Sequence, residues 1–400
     1  MAAAAKKETD SEGLDGGLLT TTSPHIRAPD DIPRVMWTVV VALLPALFAA
    51  CYFVVWDAVR IVAIAVVSAV VAEALVQKLT GREVTIGDGS AVVTGLLVAF
   101  VMPSNAPWFA PLVASVFGIA VVKQAFGGLG CNIWNPALAG RAFAVACFGG
   151  LMVGGWMPVV PRPDAAPPVE GRPANWVRVT PGQRFAPDEY TRADAVSGAS
   201  ALSARKDYLG GLPGTDDPAL LRERLGRTPR ETLRKVQAAN HTGRLDLFLG
   251  AQVGSLGETS ALALLVGGVI LLATGTIRWY IPAAFIGSVA LFGWLLPVEA
   301  PAFDGTQVLR GWVWAGGEPL FQILTGGVMI GAIFMATDMV TSPLTRPGKL
   351  IFGAGCGLLT VIIRKYGGYP EGVCYSILLM NTAVPLIDSY TKPRVYGTQP

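Results

Sequence analysis

One short run of small and polar residues has the most specific chemical character in the sequence. The glycine and alanine in it leave the hydroxyl of Ser200 sterically open. Asp194 and Ser197 can hydrogen-bond the local backbone and so favour a turn. An exposed hydroxyl beside a carboxylate is a candidate modification site, and an ordinary polar loop is the alternative. The run is Asp194-Ala195-Val196-Ser197-Gly198-Ala199-Ser200.

Two asparagines follow a glycine-rich stretch at the start of an apolar run. Asn132 and Asn135 come directly after residues 127–131, which read Gly-Gly-Leu-Gly-Cys. A side-chain amide offers both hydrogen-bond donors and acceptors, which suits the polar edge of a ligand. The alternative is that both asparagines cap a broken helix.

Four carboxylates lie near the ends of apolar runs and are candidates for ion coupling: Glu73, Asp88, Asp338 and Asp388. A carboxylate at the bilayer centre costs about 2.5–3.5 kcal/mol on insertion scales, so it needs a reason such as an ion path. A carboxylate nearer the interface can reach water, which is the simpler interpretation. Asp388 could also pair with Lys392, one helical turn further on.

The composition indicates a membrane protein. Of the 400 residues, 52% are hydrophobic and only 15% are charged, against about 25% charged in soluble domains. The net charge of +3 gives no indication of a nucleic-acid partner. None of the five cysteines forms a CxxC pair, so we expect no metal site within this chain.

Ten apolar runs predict an all-α bundle of about ten transmembrane helices, five on either side of a hydrophilic insert. The runs are residues 36–56, 59–77, 88–103, 108–122, 131–151, 259–274, 279–296, 320–336, 350–363 and 372–387. The predicted divisions are a tail over 1–35, a first membrane half over 36–157, an insert over 158–258, a second membrane half over 259–388 and a tail over 389–400.

The two halves resemble each other. Thr94-Gly95 leads through an apolar run to Met102-Pro103, and Thr325-Gly326 leads through a similar run to residues 335–338. Glycine- or proline-interrupted segments at corresponding places are typical of repeat-built membrane folds. Frequent glycine in membrane helices is the alternative. The pattern predicts two five-helix repeats with interrupted helices.

The distribution of basic residues predicts how the chain is oriented in the membrane. With the N-terminus inside, twelve lysines and arginines fall in inner segments and four in short outer loops. The positive-inside rule then favours two cytoplasmic termini and an extracytoplasmic insert. Within the insert, leucines spaced among charges over Asp217–Ala239 predict an amphipathic helix or two.

Several motifs together resemble the RnfD/NqrB family, which comprises membrane subunits of the Rnf complex and of the sodium-pumping NADH:quinone reductase. The resemblance covers residues 23–160, 180–202 and 250–397. The run at 194–200 resembles the D-x-x-S-G-A-[T/S] signal for flavin attachment. The other motifs are Ser23-Pro24-His25-Ile26-Arg27, residues 127–143, Met335-Ala336-Thr337-Asp338, residues 366–372 and Arg394-Val395-Tyr396-Gly397.

The resemblance implies a flavoprotein in a bacterial or archaeal cytoplasmic membrane. It implies FMN joined to Ser200 through a phosphoester and a second, noncovalent flavin, riboflavin, near Asn132 and Asn135. It also implies partner subunits, one of them bearing another FMN, and coupling of electron transfer from ferredoxin to NAD with Na⁺ or H⁺ movement.

Two departures from the family pattern stand out. The family mostly has Thr where this chain has Ser200, and residues 203–248 look like an insertion to which no role carries over. The C-terminal motifs favour the Rnf member. The quinone-reductase member and a flavin-free transporter or channel remain the alternatives.

The predicted orientation can be tested by cysteine-accessibility labelling in a cysteine-free background. A cysteine at position 200 should react with an impermeant reagent from outside, and one at position 392 only from inside. The reason is the excess of basic residues in the segments placed inside. Labelling of position 200 from the cytoplasm would overturn this orientation.

Overall fold

The computed structural model describes residues 31–54, 56–104, 106–153, 227–239, 248–249, 254–303, 308–367 and 371–392. Helices dominate these residues. Three of them, Ile32–Val54, Trp56–Leu79 and Arg346–Tyr366, are long and apolar enough to cross a membrane. Five shorter apolar helices accompany them. The prediction of a helical membrane protein is therefore confirmed, while the count of ten spans stays a prediction.

The first half of the chain begins with two long helices and continues with shorter ones. Pro45 lies inside the first helix, where it removes one backbone hydrogen bond. A 3₁₀ turn over Ile86–Asp88 precedes the third helix. The helices are α1 (Ile32–Val54), α2 (Trp56–Leu79), α3 (Ser90–Phe100), α4 (Phe109–Phe117) and α5 (Pro136–Val153).

The second half starts after a 3₁₀ turn over Leu256–Glu258. Ser260 caps the first of its helices by accepting from the Ala263 N–H, and Thr345 caps another by accepting from the Gly348 N–H. The helices are α7 (Ala261–Ala273), α8 (Tyr280–Leu295), α9 (Pro319–Leu324), α10 (Val328–Ile330), α11 (Arg346–Tyr366) and α12 (Val373–Tyr390).

Part of the predicted insert is helical. Helix α6 spans Pro229–Ala239, and the rest of the predicted amphipathic segment lies outside the described residues. A capping box starts the helix: Thr228 accepts from the Glu231 N–H, and the Glu231 carboxylate accepts from the Thr228 N–H. The predicted amphipathic helix is thus confirmed over its second half.

A β-hairpin departs from the all-α prediction. Strands β1 (Val298–Phe303) and β2 (Val308–Val313) pair antiparallel, with Val298 opposite Val313. Helix α6 packs against both strands, with Pro229 beside Gly311. Pro297 and Pro301 lie in this stretch. Because proline is uncommon within strands, the sequence of this segment did not indicate a hairpin.

Several helices stop or change pitch within the body of the protein. Helix α4 continues as a π-helix over Gly118–Gln124, and α10 continues as a π-helix over Gly331–Met335. Between α9 and α10 the chain turns at Gly326, where φ is +68°. Thr325-Gly326, the interruption that the sequence predicted, is therefore a real break. The two-repeat arrangement itself stays a prediction.

Small residues allow the helices to pack closely around these breaks. A Cβ at Gly140 of α5 would collide with the Ala114 carbonyl of α4, and one at Gly267 of α7 would collide with the Ala42 carbonyl of α1. Such close approach of backbones is the usual means of association between membrane helices. The two halves meet through α1 with α7 and through α5 with α12.

Candidate functional site

A cavity of about 90 Å³ lies where the two halves meet. Its apolar wall comes from α1, α3, α7 and the second π-helix, with Met36 and Phe334 among the lining residues. Its polar groups are contributed by both halves. They are Ser90, Thr94, Lys123, Asn132, Asn135, Thr276, Thr337 and Asp338.

Asn135 joins the two halves at the start of α5. Its Oδ1 accepts from the Ala137 and Leu138 N–H groups at 3.0 and 3.3 Å, so it caps the helix. Its Nδ2 donates to the carbonyl of Met335 at 3.2 Å. With its amide oriented to donate to its own helix, Asn381 accepts from the Asn135 N–H at 3.1 Å. Both polar atoms of the Asn135 side chain therefore already have hydrogen-bond partners within the protein.

Asn132 has hydrogen-bonding capacity to spare. Its Nδ2 donates to the carbonyl of Trp134 at 3.2 Å, and the residue lines the cavity. Among the described residues its Oδ1 has no partner. Of the two asparagines, Asn132 is thus the one able to meet a ligand in the cavity.

A buried ion pair forms one side of the cavity. Lys123, in the first π-helix, donates to Glu73 at 2.7 Å and to the Ser90 hydroxyl at 2.6 Å. Lys123 and Glu73 are only 2% and 1% exposed. Gln124 also donates to Glu73 at 2.8 Å. An ammonium group held at this depth can stabilise negative charge in the cavity.

Asp88 belongs to the same network. Its Oδ1 accepts from the Ser90 N–H at 2.8 Å and from the Ser90 hydroxyl at 2.7 Å. Ser90 therefore links Asp88 to Lys123 and, through it, to Glu73. Two of the four predicted carboxylates are thus brought together by a lysine.

The other two carboxylates are placed differently. Asp338 lines the cavity and accepts from the Val340 N–H and the Thr341 hydroxyl. Burial raises the pKa of the Asp338 carboxyl above its usual range, although these hydrogen bonds and the charge of Lys123 oppose the shift. Asp388 lies apart and accepts from the Leu344 N–H at 3.2 Å.

A second charged cluster lies at the break between α9 and α10. Arg364 donates to the carbonyls of Gln322 and Thr325 at 2.6 and 2.9 Å, where α9 ends. Glu371 accepts from the Gly327 N–H at 3.1 Å, where α10 begins. A cation at a helix C-terminus and an anion at an N-terminus both complement the helix dipole.

Arg141 of α5 completes this cluster by forming an ion pair with Glu371. The pair connects the two halves, because Arg141 belongs to the first and Glu371 to the second. Glu258 lies beside them, buried, with Oε1 accepting from the Ser255 hydroxyl at 2.6 Å.

Five charged residues have roles that sequence reasoning missed: Lys123, Arg141, Glu258, Arg364 and Glu371. The predicted orientation counts Lys123 in an inner segment and Arg364 in a short outer loop. The structure places both residues in helices, 2% and 5% exposed. Their positions within or next to apolar runs were the available signal, since buried ionisable residues in membrane segments usually have a partner or a function.

The predicted flavin-attachment run lies outside the described residues. This applies to Asp194, Ser197, Gly198, Ala199 and Ser200. Its chemistry therefore rests on sequence alone, and the geometry above concerns the cavity and the two charged clusters.

Discontinuous apolar helices and buried ionic clusters define a multi-pass membrane protein. A model of the NQR2, RnfD, RnfE family matches residues 19–397. The chain belongs to this family. It is 41% identical over 384 residues to the D subunit of the Na(+)-translocating ferredoxin:NAD(+) oxidoreductase complex of Acetobacterium woodii, covering 95% of each chain.

Two further relatives agree with this assignment. The chain is 37% identical to the D subunit of the proton-translocating ferredoxin:NAD(+) oxidoreductase complex of Clostridium ljungdahlii, covering 95% of this chain and 96% of the relative. It is 38% identical to the D subunit of the ion-translocating oxidoreductase complex of Stutzerimonas stutzeri, covering 92% of each.

The buried pair of Lys123 and Glu73 can be tested by unfolding measurements. Replacing Lys123 with Met should lower stability by roughly 3–5 kcal/mol, because Glu73 is left as an unpaired buried charge. The double variant Lys123→Met/Glu73→Gln should recover most of the loss. The measurement is the denaturation midpoint of the purified protein.

Lys78→Met is the matched control, because Lys78 is exposed at the end of α2. It should leave the midpoint unchanged. A Lys123→Met protein as stable as the Lys78→Met protein would contradict the buried ion pair.

Proposed function

We propose that this chain is a flavin-carrying membrane subunit of an ion-translocating ferredoxin:NAD oxidoreductase complex. Electrons would pass through FMN attached to Ser200 and through a second, noncovalent flavin, riboflavin, in the cavity beside Asn132. The named functions of relatives at 37–41% identity support the assignment to this complex. The observation that favours the cavity as the flavin site is its combination of apolar walls with an amide, a lysine and a carboxyl group.

The groups lining the cavity fit a flavin in their chemistry. Asn132 has a free acceptor for a ring N–H, and the ammonium of Lys123 favours electron-rich states of a ring nearby. The volume of about 90 Å³ is small beside the roughly 300–1,000 Å³ of typical ligand sites, so binding requires side chains around the cavity to move. Flexible residues such as Met36 and Met339 line it and are suited to that movement.

A bound flavin supplies one- and two-electron redox chemistry, and the protein sets its position and environment. Asn132 would orient the polar edge of the ring. Lys123 would place a positive charge beside the ring. Its ammonium group is buried and paired with Glu73, so it is held in position by the protein and not by solvent. Phe334 and the surrounding apolar residues would exclude water from the ring.

The proposed complex also moves Na⁺ or H⁺, and four carboxylates of this chain are candidates for that coupling. Asp338 lines the cavity, whereas Glu73 and Asp88 are connected to it through Lys123 and Ser90. A change in flavin charge would therefore act on Asp338 directly and on the other two through this network. Asp388 is more distant and is the weaker candidate. In this proposal the chain has about ten spans in two five-helix repeats, both termini are cytoplasmic, and the insert over 158–258 is extracytoplasmic.

The partners in this proposal are other membrane and peripheral subunits, including a second FMN-bearing one that passes electrons on. The rival function is that of the corresponding membrane subunit in a sodium-pumping NADH:quinone reductase, because the matched family includes both types. Two of the relatives named above, those from Acetobacterium woodii and Clostridium ljungdahlii, are named as subunits of ferredoxin:NAD(+) oxidoreductase complexes instead. Reduction of NAD by ferredoxin, rather than reduction of quinone by NADH, distinguishes the two.

The covalent flavin can be tested by fluorescence of the denatured chain in a gel. The wild-type band should fluoresce, because a phosphoester survives denaturation. Ser200→Ala should abolish the fluorescence, and Ser200→Thr should retain it because threonine offers the same hydroxyl. Ser203→Ala, just outside the motif, is the control and should fluoresce normally. Fluorescence that persists in Ser200→Ala would place the attachment elsewhere.

A further inference from the structure

In the charged cluster at the break between α9 and α10, one carboxyl group, that of Glu258, does not cap either helix. Glu258 is 5% exposed, and Ser255 donates to its Oε1 at 2.6 Å. Its Oε2 is fully buried and has no hydrogen-bond partner among the described residues. A buried carboxylate oxygen without a donor is strongly unfavourable, so the group needs a partner or must lose its charge.

The two cations of the cluster direct their terminal nitrogens at other groups, and the buried Nε of Arg364 has no hydrogen-bond partner among the described residues. Arg141 forms its ion pair with Glu371. Arg364 directs its two terminal nitrogens at the carbonyls of Gln322 and Thr325. Within the described part of the chain, no basic group lies within 4.0 Å of Glu258.

The group that faces Glu258 is another carboxyl. The carboxyl groups of Glu258 and Glu371 meet at Gly327. Both border Gly327: a Cβ there would lie 3.6 Å from Oε1 of Glu371 and 4.0 Å from Oε1 of Glu258. Two carboxylates repel at this separation, and they can hydrogen-bond only if one of them keeps a proton.

We propose that Glu258 and Glu371 form a proton-binding carboxyl pair that holds one exchangeable proton beside the break between α9 and α10. The proton resides on Oε2 of Glu258 and is donated to the Glu371 carboxylate. This arrangement satisfies the orphaned oxygen without any further group.

The unequal surroundings of the two carboxyls decide which one carries the proton. Glu371 receives the Arg141 guanidinium and the Gly327 N–H, and both stabilise its ionised form. Glu258 receives only the hydroxyl of Ser255. The positive charges of Arg141 and Arg364 act on the pair as a whole and keep the second carboxyl ionised.

Release of the proton would change the break itself. Two adjacent carboxylates would then compete for Arg141 and for the Gly327 N–H, which begins α10. Proton occupancy and the position of Thr325-Gly326-Gly327 are therefore coupled. A role for this proton in ion translocation rests on the proposed function, whereas its presence can be measured independently of turnover or flavin.

Infrared spectroscopy of the intact complex in nanodiscs tests the pair. The protein is labelled with ¹³C-glutamate, and carbonyl stretching of protonated carboxylic acids is compared in H₂O and D₂O. One glutamic acid band that shifts in D₂O should be lost in Glu258→Gln. Glu299→Gln, in an exposed position on β1, is the control and should retain it. A band that persists in Glu258→Gln overturns the proposal.

Sodium binding is the competing outcome. If the band responds to Na⁺ at constant pH and not to pH at constant Na⁺, the pair binds a metal cation and the proton assignment is wrong. Titration of the band by pH alone supports the proposal.

Thermal stability gives a second, independent readout. Glu258→Gln should leave the unfolding midpoint nearly unchanged, because its amide accepts from Ser255 and donates to Glu371 as the protonated acid does. Glu371→Gln should lower the midpoint, because Arg141 then loses its carboxylate. Equal destabilisation by both variants would show that Glu258 carries a required charge and would contradict the shared proton.

Discussion

Helix ends buried inside an apolar body are the constraint on which this structure depends. Each end exposes backbone groups that have no partner in the helix, and a membrane interior offers no water to satisfy them. In this protein, side chains hydrogen-bond these backbone groups. Arg364 satisfies carbonyls where α9 ends, Glu371 satisfies an amide where α10 begins, and Asn135 caps α5.

These capping groups also create the two polar sites. The segment from Gly327 to Met335 has the charged cluster at one end and the cavity at the other. Helix α5 makes the same connection, with Asn135 at the cavity and Arg141 in the cluster. Because short rigid elements join the sites, a change of charge at one can move the other. The proposed combination of redox chemistry and ion movement in one subunit would require such a connection.

The sequence predicted the membrane class and the broken segment at Thr325-Gly326, because apolar runs and glycine interruptions are local signals. It did not predict that Lys123 pairs with Glu73 or that Arg141 pairs with Glu371. These partners are 50 and 230 residues apart along the chain, and only tertiary packing brings them together. Asn135 caps a helix, which is the alternative that the sequence left open. Its contact with Met335 of the other half could not be predicted, because the two residues are far apart in the sequence.

The cavity formed by these helix ends is proposed to hold a noncovalent flavin. The most direct measurement is the flavin released on denaturing the purified Ser200→Ala chain, in which the proposed covalent attachment is absent. We predict about one released flavin per chain, and almost none when Asn132→Leu is added while the fold, judged by circular dichroism, is kept. Undiminished flavin release from the Asn132→Leu chain would show that the flavin binds elsewhere.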